Sequence, residues 1–268
     1  MKTPTSPKIG ILQGRLTPSR GRGIQFFPDD NWEQEFDLAR EVGLSHIQWV
    51  FDTLQNPLLD KAFRESVKAA IARTGVPVRN MDLQLLVKMD IAQFTEKHMS
   101  DICSALSDIQ GGNVELPLLE ASSLLDGGMR EKRVLPLERF VACATKHGVG
   151  IALETDLAPK EYAVFLSAFP SLTVVYDTGN SAGMGYDMEA ELSAYGGRIS
   201  NVHIKDKKKG GSTIQIGTGD APFACLFKRL RALSYTGPVT IQAARGPDGE
   251  EVRTVTEQAA LIRKWISE

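Results

Sequence analysis

Glu154, Asp177 and His203 each lie at or near the end of a short β-rich run: GIALET from Gly150, LTVVYDT from Leu172 and ISNVHIK from Ile199. The three runs follow one another along the chain. Two carboxylates and an imidazole gathered at one point form an oxygen and nitrogen donor set for a divalent ion such as Mn²⁺, Mg²⁺, Co²⁺ or Zn²⁺. The plainer reading is that each polar group caps its own strand. Their recurrence at equivalent strand positions favours a shared site. The next run, PVTIQAA from Pro238, carries Gln242, with Arg245 just beyond it. Earlier runs end at Gln13 and Arg15, at Gln48, and near Asp82 and Gln84.

These residues need a scaffold that points consecutive strands at one place. Eight strand candidates begin at Lys8, His46, Val76, Asn113, Gly150, Leu172, Ile199 and Pro238. Amphipathic stretches separate them, expected as helices over Asn31–Val42, Leu58–Thr74, Ile91–Ile109, Leu135–His147, Pro159–Phe169, Met188–Tyr195, Pro222–Leu233 and Glu251–Ile266. Several close on a glycine, as at Gly43, Gly75, Gly148 and Gly237, the usual stop past a helix end. Unbroken strand–helix alternation predicts a parallel sheet closed on itself, a single (β/α)8 TIM barrel over residues 1–268. An open doubly wound sheet would carry a glycine-rich phosphate turn after its first strand, where this chain reads Gln13-Gly14-Arg15-Leu16. In a barrel the chemistry belongs at the C-terminal ends of the strands, where all of the polar residues above fall.

Composition narrows the function classes. The chain has 268 residues, 42% hydrophobic and 24% charged, with a formal net charge of −2. That balance supports a large core and argues against a nucleic-acid partner. Cys103, Cys143 and Cys225 fall in separate helix candidates and form no CxxC pair, which fits a reducing compartment. The opening MKTPTSPKIG has no apolar targeting core, and no run reaches the ~18 apolar residues that a membrane span requires, so a cytoplasmic protein is expected.

The motifs Ile151-Ala152-Leu153-Glu154, Tyr176-Asp177-Thr178-Gly179-Asn180 and Val202-His203-Ile204-Lys205-Asp206 resemble the xylose-isomerase-like TIM-barrel superfamily. QGRL from Gln13, IQFFPDDNWEQEF from Ile24 and HIQWVFD from His46 are similar to its sugar-phosphate isomerase and epimerase branch, typified by hexulose-6-phosphate isomerase and L-ribulose-5-phosphate 3-epimerase. The resemblance implies a metal-dependent enzyme of carbohydrate metabolism acting on a small sugar or sugar phosphate through an enediolate. It also implies Glu154, Asp177 and His203 as metal ligands, with the strand-8 position as a fourth. There the relatives carry a glutamate that serves as a second base. This chain has Gln242, whose amide oxygen can still meet a metal but cannot take a proton. Gln48 likewise stands where related sequences often carry glutamate.

That departure leaves several chemistries open. Glu154 alone could shuttle a proton across one face. Asp206 or a metal-bound water could supply a second base. The same site could run a lyase or dehydratase reaction, or the protein could bind a sugar derivative without turning it over. Lys205 shares a strand face with His203 and is a candidate catalytic or substrate-binding residue, or half of a local salt bridge. Arg15 and Arg245 are candidate anchors for a phosphate or carboxylate, Gln48 and Asn180 for substrate hydroxyls. The loop Lys207–Gly211 with Gly217 and Gly219 is either a phosphate cradle or a solvated hairpin tip. Phe26, Phe27 and Trp49 would wall the site or pack in the core. A zinc endonuclease of the same superfamily would need more than the four histidines present. His46, His98 and His147 carry no expected chemistry. Barrels of this type often form homo-oligomers.

Overall fold

The computed structural model describes residues 7–268. The start of the N-terminal segment read above for a targeting signal lies outside the described residues. Eight parallel strands close into a barrel: β1 (Lys8–Leu12), β2 (Ile47–Val50), β3 (Val78–Asp82), β4 (Asn113–Leu118), β5 (Gly150–Thr155), β6 (Thr173–Asp177), β7 (Ile199–Ile204) and β8 (Pro238–Ile241). Each pairs with its sequence neighbours, and β8 closes the ring on β1 with Lys8 opposite Pro238 and Ile11 opposite Ile241. The expected (β/α)8 architecture is therefore the one the chain adopts.

The surrounding helices are α1 (Trp32–Val42), α2 (Lys61–Thr74), α3 (Glu96–Asp108), α4 (Gly127–His147), α5 (Pro159–Ser167), α6 (Thr178–Met184), α7 (Met188–Tyr195), α8 (Phe223–Ala232) and α9 (Glu251–Ser267). Local chemistry sets their ends. Asp60 caps α2 by accepting from the Phe63 N–H, and Thr95 caps α3 by accepting from the His98 N–H. Gly75 and Gly148 end α2 and α4 in the left-handed conformation.

Three elements differ from the sequence reading. Helix α4 starts at Gly127, not Leu135, because Asp126 caps it and Pro136 is carried inside the helix rather than opening it. Asn180 belongs to the short helix α6, which Asp177 caps directly off β6. Helix α3 starts at Glu96, not Ile91, because Thr95 caps it there, whereas the basic stretch after β7 forms the hairpin expected as one reading, Asp206–Lys207 against Thr213–Ile214.

The alternation of each strand splits its side chains between two environments. Outward residues such as Ile11, Trp49, Met81, Leu153, Val202 and Ile241 are fully buried against the helices. Trp49 and Phe27 join Trp32 and Phe63 in an aromatic cluster there, with ring centroids 5.1 Å apart for Phe27 and Trp49. They pack the core and do not line the mouth of the barrel. The inward side is unusually polar. On β7, Asn201, His203 and the following Lys205 step upward along the barrel axis, all buried.

The floor of this polar interior leaves no spare room. The His46 ring lies over Gly10, and a Cβ there would come within 2.2 Å of its Nε2. The ring cannot step aside freely, since Nδ1 meets Ser45 Oγ at 2.8 Å and Nε2 meets Thr240 Oγ1 at 3.3 Å. Burial lowers its pKa to about 3, so it stays neutral. Gly10→Ala is expected to destabilise the barrel by about 1–3 kcal/mol, the usual cost of overpacking a filled interior. Urea unfolding of the two proteins would measure it, and equal midpoints would refute the tight contact.

Candidate metal centre

Strand register builds the site. Asp177 on β6 lies directly opposite His203 on β7, and Glu154 comes from β5, one strand further round. One ligand atom from each of Glu154, Asp177 and His203 falls within 4.8 Å of the others, and all three side chains are buried. The expected triad is thus brought together.

The donor atoms fit a divalent ion. His203 Nδ1 is buried without a hydrogen-bond partner, and the neighbour of Asp177 Oδ2 is the Lys205 ammonium. Nδ1 lies 3.5 Å from Glu154 Oε2, close enough for attraction between the ring and the carboxylate. Asp177 Oδ1 caps α6 by accepting from the Asn180 N–H at 2.8 Å, which leaves Oδ2 facing the site. Glu154 Oε1 accepts from the Asn180 side-chain amide, which leaves Oε2 facing His203. Asn180 thereby orients both carboxylates, and its own oxygen accepts from Lys207 Nζ at 2.7 Å.

Lys205 is the cation of the site. Its Nζ is 2.7 Å from Asp177 Oδ2 and donates to Gln242 Oε1, also at 2.7 Å. The contact with Asp177 is a close, buried charge pair. Burial works against the Asp177 charge, but Lys205 and His203 outweigh it and hold the carboxyl below its ordinary range. Gln242, expected as a fourth ligand, offers its oxygen to Lys205.

A second tier lies beneath His203. Its Nε2 meets Glu115 Oε2 and Gln48 Oε1, each at 3.0 Å. Gln48, expected at the substrate, is fully buried and donates to Glu115 Oε2 at 2.6 Å. It supports the histidine. Glu115 and Asn201 did not figure among the sequence candidates. The signal was present in NVELPLL, where a charged residue interrupts an otherwise apolar strand. Asp82, also inward and buried, has an unpartnered Oδ2, and burial pushes its pKa up to about 8, helped by Glu154 and Glu115.

The loop residues take different roles from those expected. Asp206, a candidate base, accepts from the Gly217 and Gly219 N–H groups at 2.9 and 2.8 Å and from Ala221 at 3.2 Å. It folds the glycine-rich turn onto itself, so neither the carboxylate nor those amides are free for substrate. Arg245 donates to the Gly14 and Thr17 carbonyls. Arg15 donates to the Ile24 carbonyl, and its terminal nitrogen lies 3.4 Å from the Gln242 carbonyl. Burial, reinforced by Arg245, lowers the Arg15 pKa to about 9. Arg245 and Arg22 both lie over the Phe26 ring, at 5.1 and 4.5 Å from its centroid. Both expected anion anchors are therefore committed to backbone carbonyls, and Arg15 is buried.

Residues 36–265 match the family described as xylose isomerase-like TIM barrel, and the chain belongs to that family. It is 24% identical over 264 residues to the L-ribulose-5-phosphate 3-epimerase UlaE of Salmonella heidelberg, an alignment covering 88% of each chain. Its fold is similar to that of D-allulose 3-epimerase from Methylomonas sp. in complex with D-allulose, with a TM-score of 0.76, 15% identity and coverage of 98% of this chain and 99% of the other. It is also similar to the IOLI protein with a bound zinc atom, with a TM-score of 0.73, 14% identity and coverage of 97% of this chain and all of the other, 100%. Among the described residues no helix is long and apolar enough to cross a membrane.

The charge state of His203 would make binding of a divalent ion at this triad pH-dependent. Burial disfavours its charge, but the hydrogen bonds to Glu115 and the contact with Glu154 prevail and raise its pKa to about 10. An ion at Nδ1 must displace that proton. Below pH 10 the affinity for Mn²⁺ is therefore expected to rise with pH, by up to about tenfold per unit, with close to one proton released per ion. Calorimetry in two buffers of different ionisation enthalpy measures both quantities. An affinity flat between pH 6 and pH 9 would contradict a metal at this ring.

Proposed function

We propose that this protein is a divalent-metal-dependent isomerase or epimerase of a sugar or sugar phosphate, working by proton removal alpha to a carbonyl. The observation that supports this reading is the convergence of Glu154, Asp177 and His203 at the C-terminal ends of three consecutive strands, with His203 Nδ1 buried and unpartnered among them. The epimerase activities named for relatives along nearly the whole chain support the sugar substrate. A bound divalent ion would supply Lewis-acid polarisation of the substrate carbonyl.

The residues of this chain supply the rest. Glu154, steadied through Oε1 by Asn180, is the base that removes the alpha proton. Gln242 cannot accept a proton, but it holds the Lys205 ammonium. Lys205 is thereby aimed from the strand-7 and strand-8 side, against Glu154 from strand 5. In an epimerisation Lys205 would give a proton to the reacting carbon on the face opposite Glu154. Solvent then takes the proton from Glu154 and returns one to the lysine. In an isomerisation Glu154 would return its own proton to the neighbouring carbon, and Lys205 would stabilise the oxygen charge. Arg15 and Arg245, beyond the ends of β1 and β8, suit an anionic end of the substrate.

With Mn²⁺ and a panel of ketoses and ketose phosphates in D2O, deuterium is expected to enter the alpha carbon of the true substrate, read by NMR. Glu154→Gln should abolish the exchange. Lys205→Met should retain exchange but lower conversion to the epimer by roughly 10²–10⁴-fold, the usual worth of a positioned acid. Metal binding without exchange in any member would favour a sugar-binding protein instead.

A further inference from the structure

Glu115 is a carboxylate placed where a barrel ordinarily keeps aliphatic side chains. It is 1% exposed. Both oxygens are fully used as acceptors. Oε1 takes the side-chain amides of Asn80 at 2.7 Å and Asn201 at 2.8 Å. Oε2 takes Gln48 Nε2 at 2.6 Å and His203 Nε2 at 3.0 Å. The amide oxygens are committed too. Asn201 Oδ1 accepts from Thr240 at 3.1 Å, and Asn80 Oδ1 from the Asn113 N–H at 3.3 Å. Three of the four donors are neutral. His203 is the one bonded partner able to carry a positive charge.

Two consequences follow for the site above. The first is geometric. A carboxylate at Nε2 requires a proton there, so the other nitrogen, Nδ1, is the one presented to Glu154 and Asp177. The second is electrostatic. Glu154 and Asp177 bring two negative charges, but the Lys205 ammonium on Asp177 cancels one, and Gln242 adds none. Among Glu154, Asp177, Lys205 and Gln242 a single net negative charge then remains. Glu115 adds the second through the ring, at a cost in burial that its four donors offset.

We propose that Glu115 is the positioning residue that makes His203 a metal ligand through Nδ1 and supplies the missing counter-charge from beneath. Gln48, Asn80 and Asn201 are the amide cage that holds this carboxylate in place against the ring. The proposal rests on the metal-dependent reading of the site. It extends that reading to a carboxylate which touches neither the ion nor the substrate.

The test uses the whole protein and Mn²⁺ alone. Glu115→Gln is nearly isosteric and removes the charge. It is expected to weaken Mn²⁺ binding by about 10–100-fold, as loss of a carboxylate behind a metal-bound histidine does. The exchange variant Gln48→Glu with Glu115→Gln returns a carboxylate to His203 Nε2 and leaves the new amide a donor path to it. Most of the lost affinity should come back. Unchanged Mn²⁺ affinity in folded Glu115→Gln overturns the proposal, as does an exchange variant that folds but stays as weak as the single one. If Glu115→Gln does not fold, the wild-type protein decides. ¹⁵N NMR of the Zn²⁺-loaded form should show His203 protonated at Nε2 and metallated at Nδ1, and the opposite pattern overturns the assignment. Wild-type protein that binds no Mn²⁺ at all would instead overturn the metal reading itself, and this proposal with it.

Discussion

Everything at the mouth of this barrel depends on keeping several charges out of water without leaving any of them alone. An isolated buried carboxylate is costly enough to protonate instead of staying ionised. Here the charges are arranged as a relay of opposites. Glu115 faces His203, His203 faces Glu154, and Asp177 faces Lys205. Neutral amides fill the remaining acceptor directions, with Asn180 above and Gln48, Asn80 and Asn201 below. Asp82 sits beside this relay without a cation bonded to it, and its raised pKa is what such isolation produces.

This arrangement gives the two glutamines distinct meanings. Gln242 holds the lysine at the end of β7 through its oxygen, so a neutral side chain aims a charged one. Gln48 bridges Glu115, His203 and Asn201, a job that needs a donor and an acceptor on the same group. A glutamate at either position would add a negative charge to a region that already holds four carboxyl groups: Asp82, Glu115, Glu154 and Asp177. The fold tolerates many chemistries, and the chemistry of this chain is set by where these charges lie.

The loops serve the same economy. Glu35 at the start of α1 accepts from the Gly14 and Leu16 N–H groups and from Thr17, which shapes the turn carrying Arg15. Arg245 grips the same turn from the other side of the closure, through the carbonyls of Gly14 and Thr17. Asp206 does for the strand-7 loop what Glu35 does for the first. In each case a buried carboxylate organises backbone N–H groups, so residues that look reactive in a linear reading are spent on holding loops in place.

The eight strand–helix units were legible because hydrophobic periodicity and glycine or proline punctuation are local properties. Glu154, Asp177 and His203 were legible because they end consecutive strands, and closure of the sheet then makes neighbours of them. The start of α4 was not legible because Gly127 and Gly128 are poor helix formers and only the Asp126 cap opens the helix there. The roles of Gln48, Glu115, Asn201 and Asp206 were not legible, because a polar residue within a strand has the same local pattern whether it meets substrate, a metal ligand or a backbone amide. Only the closed barrel, which brings β2, β3, β4 and β7 to a common axis, decides which groups are near enough to share a charge. The chain alone determined the scaffold and the three ligand candidates. The tertiary structure decided which of the remaining polar groups face the open site and which hold its parts in position, since hydrogen bonding and charge pairing depend on distances between strands far apart in sequence.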